Sequence, residues 1–194
     1  MEQEELDHNV SQLAESAQAL AQHLQEVAKP LGVAFPRRVI RPLHESQQRW
    51  PYLRGNVSRT LACAIQLCDI NRWQLNTWQI GLTAGTMWEW HCTVPVIAVI
   101  EALLIEYGVL NQWLNRDTKF KKAINFLHSR GVYGHDHQAE LHWLREYRNE
   151  LHLFLKGKVQ MHDGSPMNYN RAVRALQATE EMLREHWQRQ ERAA

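Results

Sequence analysis

The chain has 194 residues, 44% of them hydrophobic and eight of them Trp, which is enough for one domain with a sizeable core. Its net charge of +1 excludes a global field that would draw it to nucleic acid or to a membrane, so any RNA contact has to be local. The acidic, polar start MEQEELDHN argues against a signal peptide. The sequence has no run of 18 apolar residues, which argues against a membrane span. We therefore expect a cytoplasmic protein. Cys63, Cys68 and Cys92 are odd in number and lack CxxC spacing, which favours buried thiols over a disulfide framework or a zinc site.

Residues 1–55 are predicted to form an N-terminal amphipathic helix followed by a Pro/Arg-rich connector. Within residues 2–28 the apolar positions alternate spacings of four and three without a slip: Leu6, Val10, Leu13, Ala17, Leu20, Leu24 and Val27. This heptad helix either docks on its own domain or pairs with its copy in a second subunit. Residues 29–55 are punctuated by Pro and Gly and carry five Arg, so they read as a connector across the surface. Its arginines either contact phosphates or form a solvated basic loop.

Helical spacing returns at residue 56, and residues 56–194 are predicted to form a helical bundle. A helix is expected to about Asp69, then a Trp-rich helix over residues 71–91 interrupted near Gly81 or Gly85. Thr93 and Pro95 resemble a cap and the first turn of an apolar helix that should be the most buried one. Glu101 within that helix is costly to bury without a partner, and an Arg from the 145–148 region is the candidate.

Three further helices complete the expected bundle, and the middle one is the helix that follows residue 137. One starts at Asp117 or Thr118, buries Phe120, Ile124 and Leu127, and stops at Gly131; the last runs over about residues 168–190. Between them, residues 134–137 are expected to form a turn and cap, where adjacent side chains of His135, Asp136 and His137 point apart and fit a metal poorly. Strand alternation, internal repeats and the GxGxxG, GxxxxGK and HExxH motifs are all absent from the sequence. The sequence predicts an all-α fold.

The run LREYRNELHLF, from residue 144 to residue 154, carries the strongest functional signal. It lies in a segment without Gly or Pro that should be helical, and on a helix Arg145, Arg148, Asn149 and His152 share a wedge about 100° wide. Leucines beside the wedge extend it into an apolar stripe. Two guanidiniums, an amide and an imidazole at the edge of a buried stripe are costly unless they serve a purpose. The alternative is a solvated face or a set of structural ion pairs.

These features together resemble the HEPN family, the higher-eukaryote and prokaryote nucleotide-binding domains. That family is an α-helical bundle whose signature is an Arg, then four to six residues, then a His, often with a polar residue after the Arg. Arg145 and His152 have six residues between them, whereas the polar Asn149 follows the second arginine, Arg148. The order of helix, Gly-containing loop and motif helix also resembles the family, over about residues 56–190. Residues 1–55 lie outside the likeness.

The resemblance implies a homodimer in which two motif helices face each other at a cleft. Many members are metal-independent ribonucleases, often toxins of toxin–antitoxin or phage-defence systems, and this implies an RNA substrate, no cofactor and no metal. It implies catalytic roles for Arg145, Arg148, Asn149 and His152, and a cognate antitoxin such as a small nucleotidyltransferase-like protein. Two alternatives stay open: a non-catalytic HEPN-type scaffold that binds a nucleotide or a partner, and an unrelated helical oligomer in which Arg145–Glu101 pairs are structural.

Overall fold

The structure, a computed structural model, describes residues 43–77, 82–154 and 166–193, together with scattered positions between residues 8 and 26. Side chains at 75–77, 82–87, 150–154 and 166–167 are outside the description. The fold is an all-α bundle, as the sequence predicts, and from residue 43 onward the described residues form the following helices: α1 Leu43–Gln47, α2 Gly55–Thr77, α3 Leu82–Leu110, α4 Phe120–Ser129, α5 His135–Phe154 and α6 Pro166–Ala193. The division of the chain at residue 55 stays a prediction.

Helix α3 is the centre of the bundle. It packs against α2, α4, α5 and α6, while α1 rests on α2 and α5 contacts both α4 and α6. Its residues Ile97, Ile100, Leu103, Leu104 and Tyr107 are fully buried, so the prediction that this apolar helix is the most buried one is confirmed. The burial of so much apolar surface supplies the main driving force for folding.

The predicted start of this helix at Thr93 and Pro95 is wrong, because α3 begins at Leu82 and continues through both residues. Thr93 is a helix-interior residue whose hydroxyl donates to the carbonyl of Glu89 at 2.8 Å, four residues back. Pro95 has no N–H to donate, which usually breaks a helix. Here the helix continues because its flanking turns are buried on several sides, and tertiary packing outweighs the local cost.

Helix α2 is longer than predicted, since it continues from Gly55 past Asp69 to Thr77. Residues 71–77 therefore belong to α2, and Gly85 lies inside α3 rather than at an interruption. Residues 78–81, with the other predicted interruption site Gly81, are outside the described residues. Of the cysteines, Cys68 and Cys92 are buried as expected, whereas Cys63 is exposed.

One segment, Trp88–Leu110, is long and apolar enough to cross a membrane, with a mean hydropathy of 1.9 in its most apolar window. Half of that window is buried inside the bundle. The core helix of a soluble protein has the same composition, so this segment is weak evidence for a membrane span.

A tight turn ends α3 at a close contact. Trp113 N–H donates to the carbonyl of Gly108 and Gln112 N–H to that of Val109, the hydrogen-bond pattern of a Schellman C-cap, and Gln112 has a positive φ of 60°. The turn folds Leu114 back onto Gly108. A Cβ at position 108 would lie 2.4 Å from Leu114 Cδ1 and 2.6 Å from Leu114 Cγ.

We therefore expect Gly108→Ala to lower the free energy of unfolding by about 1 kcal/mol. Overpacking of this kind costs about 1–3 kcal/mol, and the better helix propensity of Ala returns part of it. Urea denaturation measures the change. Gly55→Ala is the matched control, since a Cβ there meets nothing within 4 Å. Equal stability of the two variants would contradict the close contact.

Helix α4 ends as the sequence predicts. Gly131, at φ 71°, donates to the carbonyl of His128, and Val132 donates to that of Leu127, which forms a second Schellman motif. The core face of α4 consists of Phe120, Ala123, Ile124 and Leu127. Its start is later than predicted, at Phe120 rather than Asp117 or Thr118, and α5 begins at His135. His135, Asp136 and His137 are therefore in the first turn of α5 rather than in a loop.

The described part of the predicted surface connector contributes side chains to the core of the bundle. Trp50 is 1% exposed and Tyr52 is 7% exposed, and both join the core. Arg49 forms an ion pair with Glu180 of α6. For residues 43–53 the expectation of a solvated surface segment is therefore wrong, because two aromatic side chains supply apolar area that the bundle buries. Residues 29–42 lie outside the described residues.

The described positions of the heptad segment are helical. Leu13 is 71% exposed and Leu20 is 59% exposed, although both belong to the apolar stripe. At these two positions the stripe is not docked on the bundle. The remaining stripe residues lie outside the description, and the choice between docking and subunit pairing stays open for them.

Candidate functional site

The candidate site is a face of α5 at the border of the core. Leu141 and Leu144 are fully buried, whereas Arg145 and Arg148 are half-buried and Asn149 is exposed. The helix brings these three polar residues onto one side, as predicted from their spacing. Position 152 lies in the same helix, and His152 is placed on this side by helical register alone. We call Arg145, Arg148, Asn149 and position 152 the motif face.

Arg148 is held by two neighbouring helices. Its Nη1 forms an ion pair with Glu101 Oε2 of α3. The partner of Glu101 comes from the 145–148 region, as predicted, but it is Arg148 rather than Arg145, which contacts Glu146 instead. The Arg148 guanidinium lies 5.5 Å from the centroid of the Phe120 ring at the start of α4, within cation–π range. Both charged side chains are about a quarter exposed or less. Arg148 therefore neutralises Glu101 and ties α5 to α3 and α4.

Arg145 is held much more weakly. Its Nη2 donates to Glu146 Oε1 at 2.8 Å, but the Glu146 side chain is 64% exposed, and exposed ion pairs contribute little. Arg145 Nε is buried without a hydrogen-bond partner among the described residues, but so is Arg148 Nε, and the exposure of Glu146 is what distinguishes the two arginines. Of the two arginines, Arg145 is thus the one that can exchange its carboxylate for another anion at low cost.

His142 is a further residue of this region, and sequence reasoning missed it. Its Nε2 lies 2.8 Å from Asn125 Oδ1 of α4, an acceptor that Gln138 also contacts at 3.0 Å. Nε2 therefore carries the proton. Burial, together with the positive charges of Arg145 and Lys121, lowers the pKa of His142. Its spacing of three residues from Arg145 and seven from Asn149 is the signal that places it beside the motif face.

Another side of α5 is clasped to α6. Arg171 donates through Nε and Nη2 to the two carboxylate oxygens of Glu140, each at 2.6 Å, and its guanidinium lies 3.6 Å from the centroid of the Trp143 ring. Trp143 stacks on Tyr147 at 5.2 Å. These contacts fix the rotation of α5 about its axis, and with it the direction of the motif face. No sequence signal links Arg171 to this cluster.

Three histidines are held in the neutral form by burial, which lowers the pKa of His137, His142 and His186. His137 Nε2 lies 3.0 Å from Thr179 Oγ1, whose own proton goes to the carbonyl of Ala175. His186 Nδ1 and the Tyr107 hydroxyl share a hydrogen bond at 2.7 Å, and burial raises the pKa of Tyr107 to about 12. All three histidines connect helices.

Stability should therefore fall on acidification from pH 7 to pH 5.5. Below the usual histidine pKa of about 6.5 the unfolded chain binds protons that the folded chain does not. The free energy of unfolding therefore falls by up to about 1.4 kcal/mol per pH unit for each of these histidines. Glu89 opposes this, since burial raises its pKa, but it is one group against three. Urea denaturation at pH 7.5, 6.5 and 5.5 measures the trend, and His137→Gln should flatten it. A free energy of unfolding that stays constant or rises on acidification would contradict neutral histidines in the folded protein.

The chemistry available at the motif face is that of anion binding and proton transfer. Guanidiniums bind phosphate oxygens in pairs, an amide donates to them, and an imidazole titrates near neutral pH. Among the described residues no group of three or more His, Cys, Asp or Glu side chains is arranged to hold a metal ion. No family model, curated protein or solved structure matches the chain, so membership of the HEPN family stays a prediction.

Proposed function

We propose that the chain is a metal-independent endoribonuclease of the HEPN type. It acts in the cytoplasm, as the toxin of a toxin–antitoxin or phage-defence system. The observation that carries this proposal is the state of Arg145: a half-buried guanidinium whose one carboxylate partner among the described residues is the exposed Glu146. It is two helical turns, roughly 10 Å, from position 152. An RNA phosphate would replace Glu146 and complete its hydrogen bonds.

The cleavage step uses a nucleophile that RNA itself supplies. His152 takes the proton of the 2′-OH as general base, the 2′-oxygen bonds to phosphorus, and the bond from phosphorus to the 5′-oxygen breaks. A second imidazole, His152 of the partner subunit, protonates that leaving oxygen. Arg145 binds the scissile phosphate and stabilises its added negative charge. Asn149 positions His152 or donates to the phosphate. The products are a 2′,3′-cyclic phosphate and a 5′-hydroxyl.

The proposal requires a homodimer, since one chain supplies a single motif histidine. The two motif faces would meet at the subunit interface and enclose the RNA between them. A cognate antitoxin, for which the HEPN resemblance suggests a small nucleotidyltransferase-like protein, would suppress the activity. Arg148 acts here as a positioning residue, because its pair with Glu101 holds α5 in place.

A second candidate is a non-catalytic HEPN-type scaffold that binds a nucleotide or a partner at the same face. The observation that favours it is that both arginines have carboxylate partners within their own chain, which reduces their net attraction for phosphate. In a purely structural oligomer, the remaining alternative, these pairs would matter only for stability.

Cleavage of total RNA and tRNA in the presence of EDTA tests the proposal. Purified wild type should cut and leave cyclic phosphate ends, His152→Ala should lose the activity, and His135→Ala should keep it. His135 is an exposed histidine in the first turn of the same helix and is the matched control. If none of the three proteins cuts while all are folded and dimeric, the scaffold is the better explanation.

A further inference from the structure

The outer face of α4 forms a shallow groove of about 520 Å³, lined by the following residues: Lys119, Lys121, Lys122, Asn125, Phe126 and Ser129. We call it the lysine groove. Because the opposite face of α4 is buried in the core, this face points to solvent. Phe126 and the aliphatic stems of the lysines give it an apolar floor beneath a charged rim.

The lysine groove concentrates positive charge in a chain that is almost neutral. Residues 116–130 contain five Lys and Arg and one Asp, against +1 for the whole chain. The three lysines are exposed, and within the described part of the chain none has an ion-pair partner. They also stand at the start of α4, where no acidic residue offsets them and where positive charge opposes the helix dipole. Helix stability alone does not favour this arrangement.

The groove is continuous with the motif face. Asn125 lines the groove and accepts the hydrogen bond of His142, which is three residues before Arg145 on α5. Besides burial, the positive charges of Arg145 and Lys121 both lower the pKa of His142, so this histidine lies near both the motif face and the lysine groove. Arg130, at the other end of α4, covers Phe126 at 5.1 Å and Trp113 at 5.4 Å. The basic surface therefore runs along α4 and onto α5.

We propose that the lysine groove binds the sugar–phosphate backbone of single-stranded RNA and guides that strand to Arg145 on the motif face. A rim of point charges over an apolar, aromatic floor is the arrangement that tracks a flexible polyanion with bases exposed. The inference rests on the proposed ribonuclease function for the destination of the strand, but not for the binding itself. It locates the local RNA contact that the near-zero net charge requires.

The test compares two triple variants that each remove three positive charges. One is Lys119→Gln with Lys121→Gln and Lys122→Gln; the control is Arg174→Gln with Arg184→Gln and Arg192→Gln, three exposed residues of α6. The probe is a fluorescent, 2′-O-methylated 12-nucleotide single strand, which resists cleavage through the 2′-oxygen. Fluorescence anisotropy gives Kd at several salt concentrations, and thermal unfolding checks the fold.

The lysine variant should bind at least tenfold more weakly, and the slope of log K against log salt should shrink by about 2, since each lost phosphate contact removes about 0.7. The control should keep the wild-type Kd and slope. With cleavable RNA, the lysine variant should raise KM and leave kcat unchanged. Equal RNA binding by both triple variants would overturn the inference. So would a lysine variant that keeps its RNA binding and loses binding only to vesicles containing phosphatidylserine.

Failure of the two proposals is distinguishable. If wild type cuts no RNA but the lysine variant alone loses binding of the methylated strand, the groove stands and the ribonuclease does not. If wild type cuts RNA and the lysine variant keeps both its Kd and its KM, the ribonuclease stands and the groove is overturned.

Discussion

Arg145→Ala is expected to lower kcat for RNA cleavage by about 100- to 1000-fold while leaving the fold intact. Removing one hydrogen-bond donor that stabilises the charge developing in a transition state typically has this effect, which corresponds to about 2.7–4 kcal/mol in activation free energy. Stability should change by about 1 kcal/mol or less, because Glu146 is exposed and the loss comes mainly from the packing of the Arg145 stem. Single-turnover cleavage of a defined oligonucleotide measures kcat, and urea denaturation measures the fold.

Arg145→Lys is the informative companion variant. It keeps the positive charge but loses the planar fork that pairs with phosphate oxygens, so it should recover only part of the rate. Full activity in Arg145→Ala, with a cleaving wild type, would remove Arg145 from the mechanism. A large loss of stability in the same variant would instead support the purely structural oligomer.

Arg148→Ala is expected to have the opposite profile, lowering the free energy of unfolding by about 2 kcal/mol. It leaves the half-buried Glu101 without its cation and removes the contact with Phe120. Breaking a fully buried pair costs about 3–5 kcal/mol, and the partial exposure of both groups reduces that figure. Urea denaturation at pH 7.5 is the measurement.

A double variant separates two contributions to this loss of stability: the lost attraction between Arg148 and Glu101, and the uncompensated charge left on Glu101. Arg148→Ala combined with Glu101→Gln should be more stable than Arg148→Ala alone, because no uncompensated charge remains. If the second change brings no recovery, the Arg148–Glu101 pair does not hold α5 against α3, and its role as a positioning contact is refuted.

The sequence was most informative where one helix determines the outcome. The shared face of Arg145, Arg148 and Asn149 follows from helical spacing. The cost of a carboxylate in an apolar helix indicated an Arg of the 145–148 region as the partner of Glu101, but not which of the two arginines it would be. The end of α4 at Gly131 could be predicted because a glycine is favoured where the chain turns left-handed.

Most contacts between helices could not be predicted from the sequence. Pro95 reads as a helix start, and only the packing around α3 shows that the helix continues through it. Trp50 and Tyr52 sit in a Pro-rich segment that reads as surface, yet the bundle buries both. Arg171 meets Glu140 across 31 positions of sequence, and the His142–Asn125 bond joins two helices. Such pairs depend on how the helices are oriented, which local patterns do not encode.

The most direct test of the ribonuclease mechanism is the dependence of cleavage on one 2′-hydroxyl. Two oligonucleotides of the same sequence, containing a mapped cleavage site, are incubated with the purified protein in EDTA. One of them carries a single 2′-deoxy nucleotide on the 5′ side of the scissile bond. The mechanism predicts that only the unmodified strand is cut there and that its product ends in a 2′,3′-cyclic phosphate. Cleavage of both strands, or a product with a 5′-phosphate, would contradict attack by the 2′-oxygen and the roles given to His152 and Arg145.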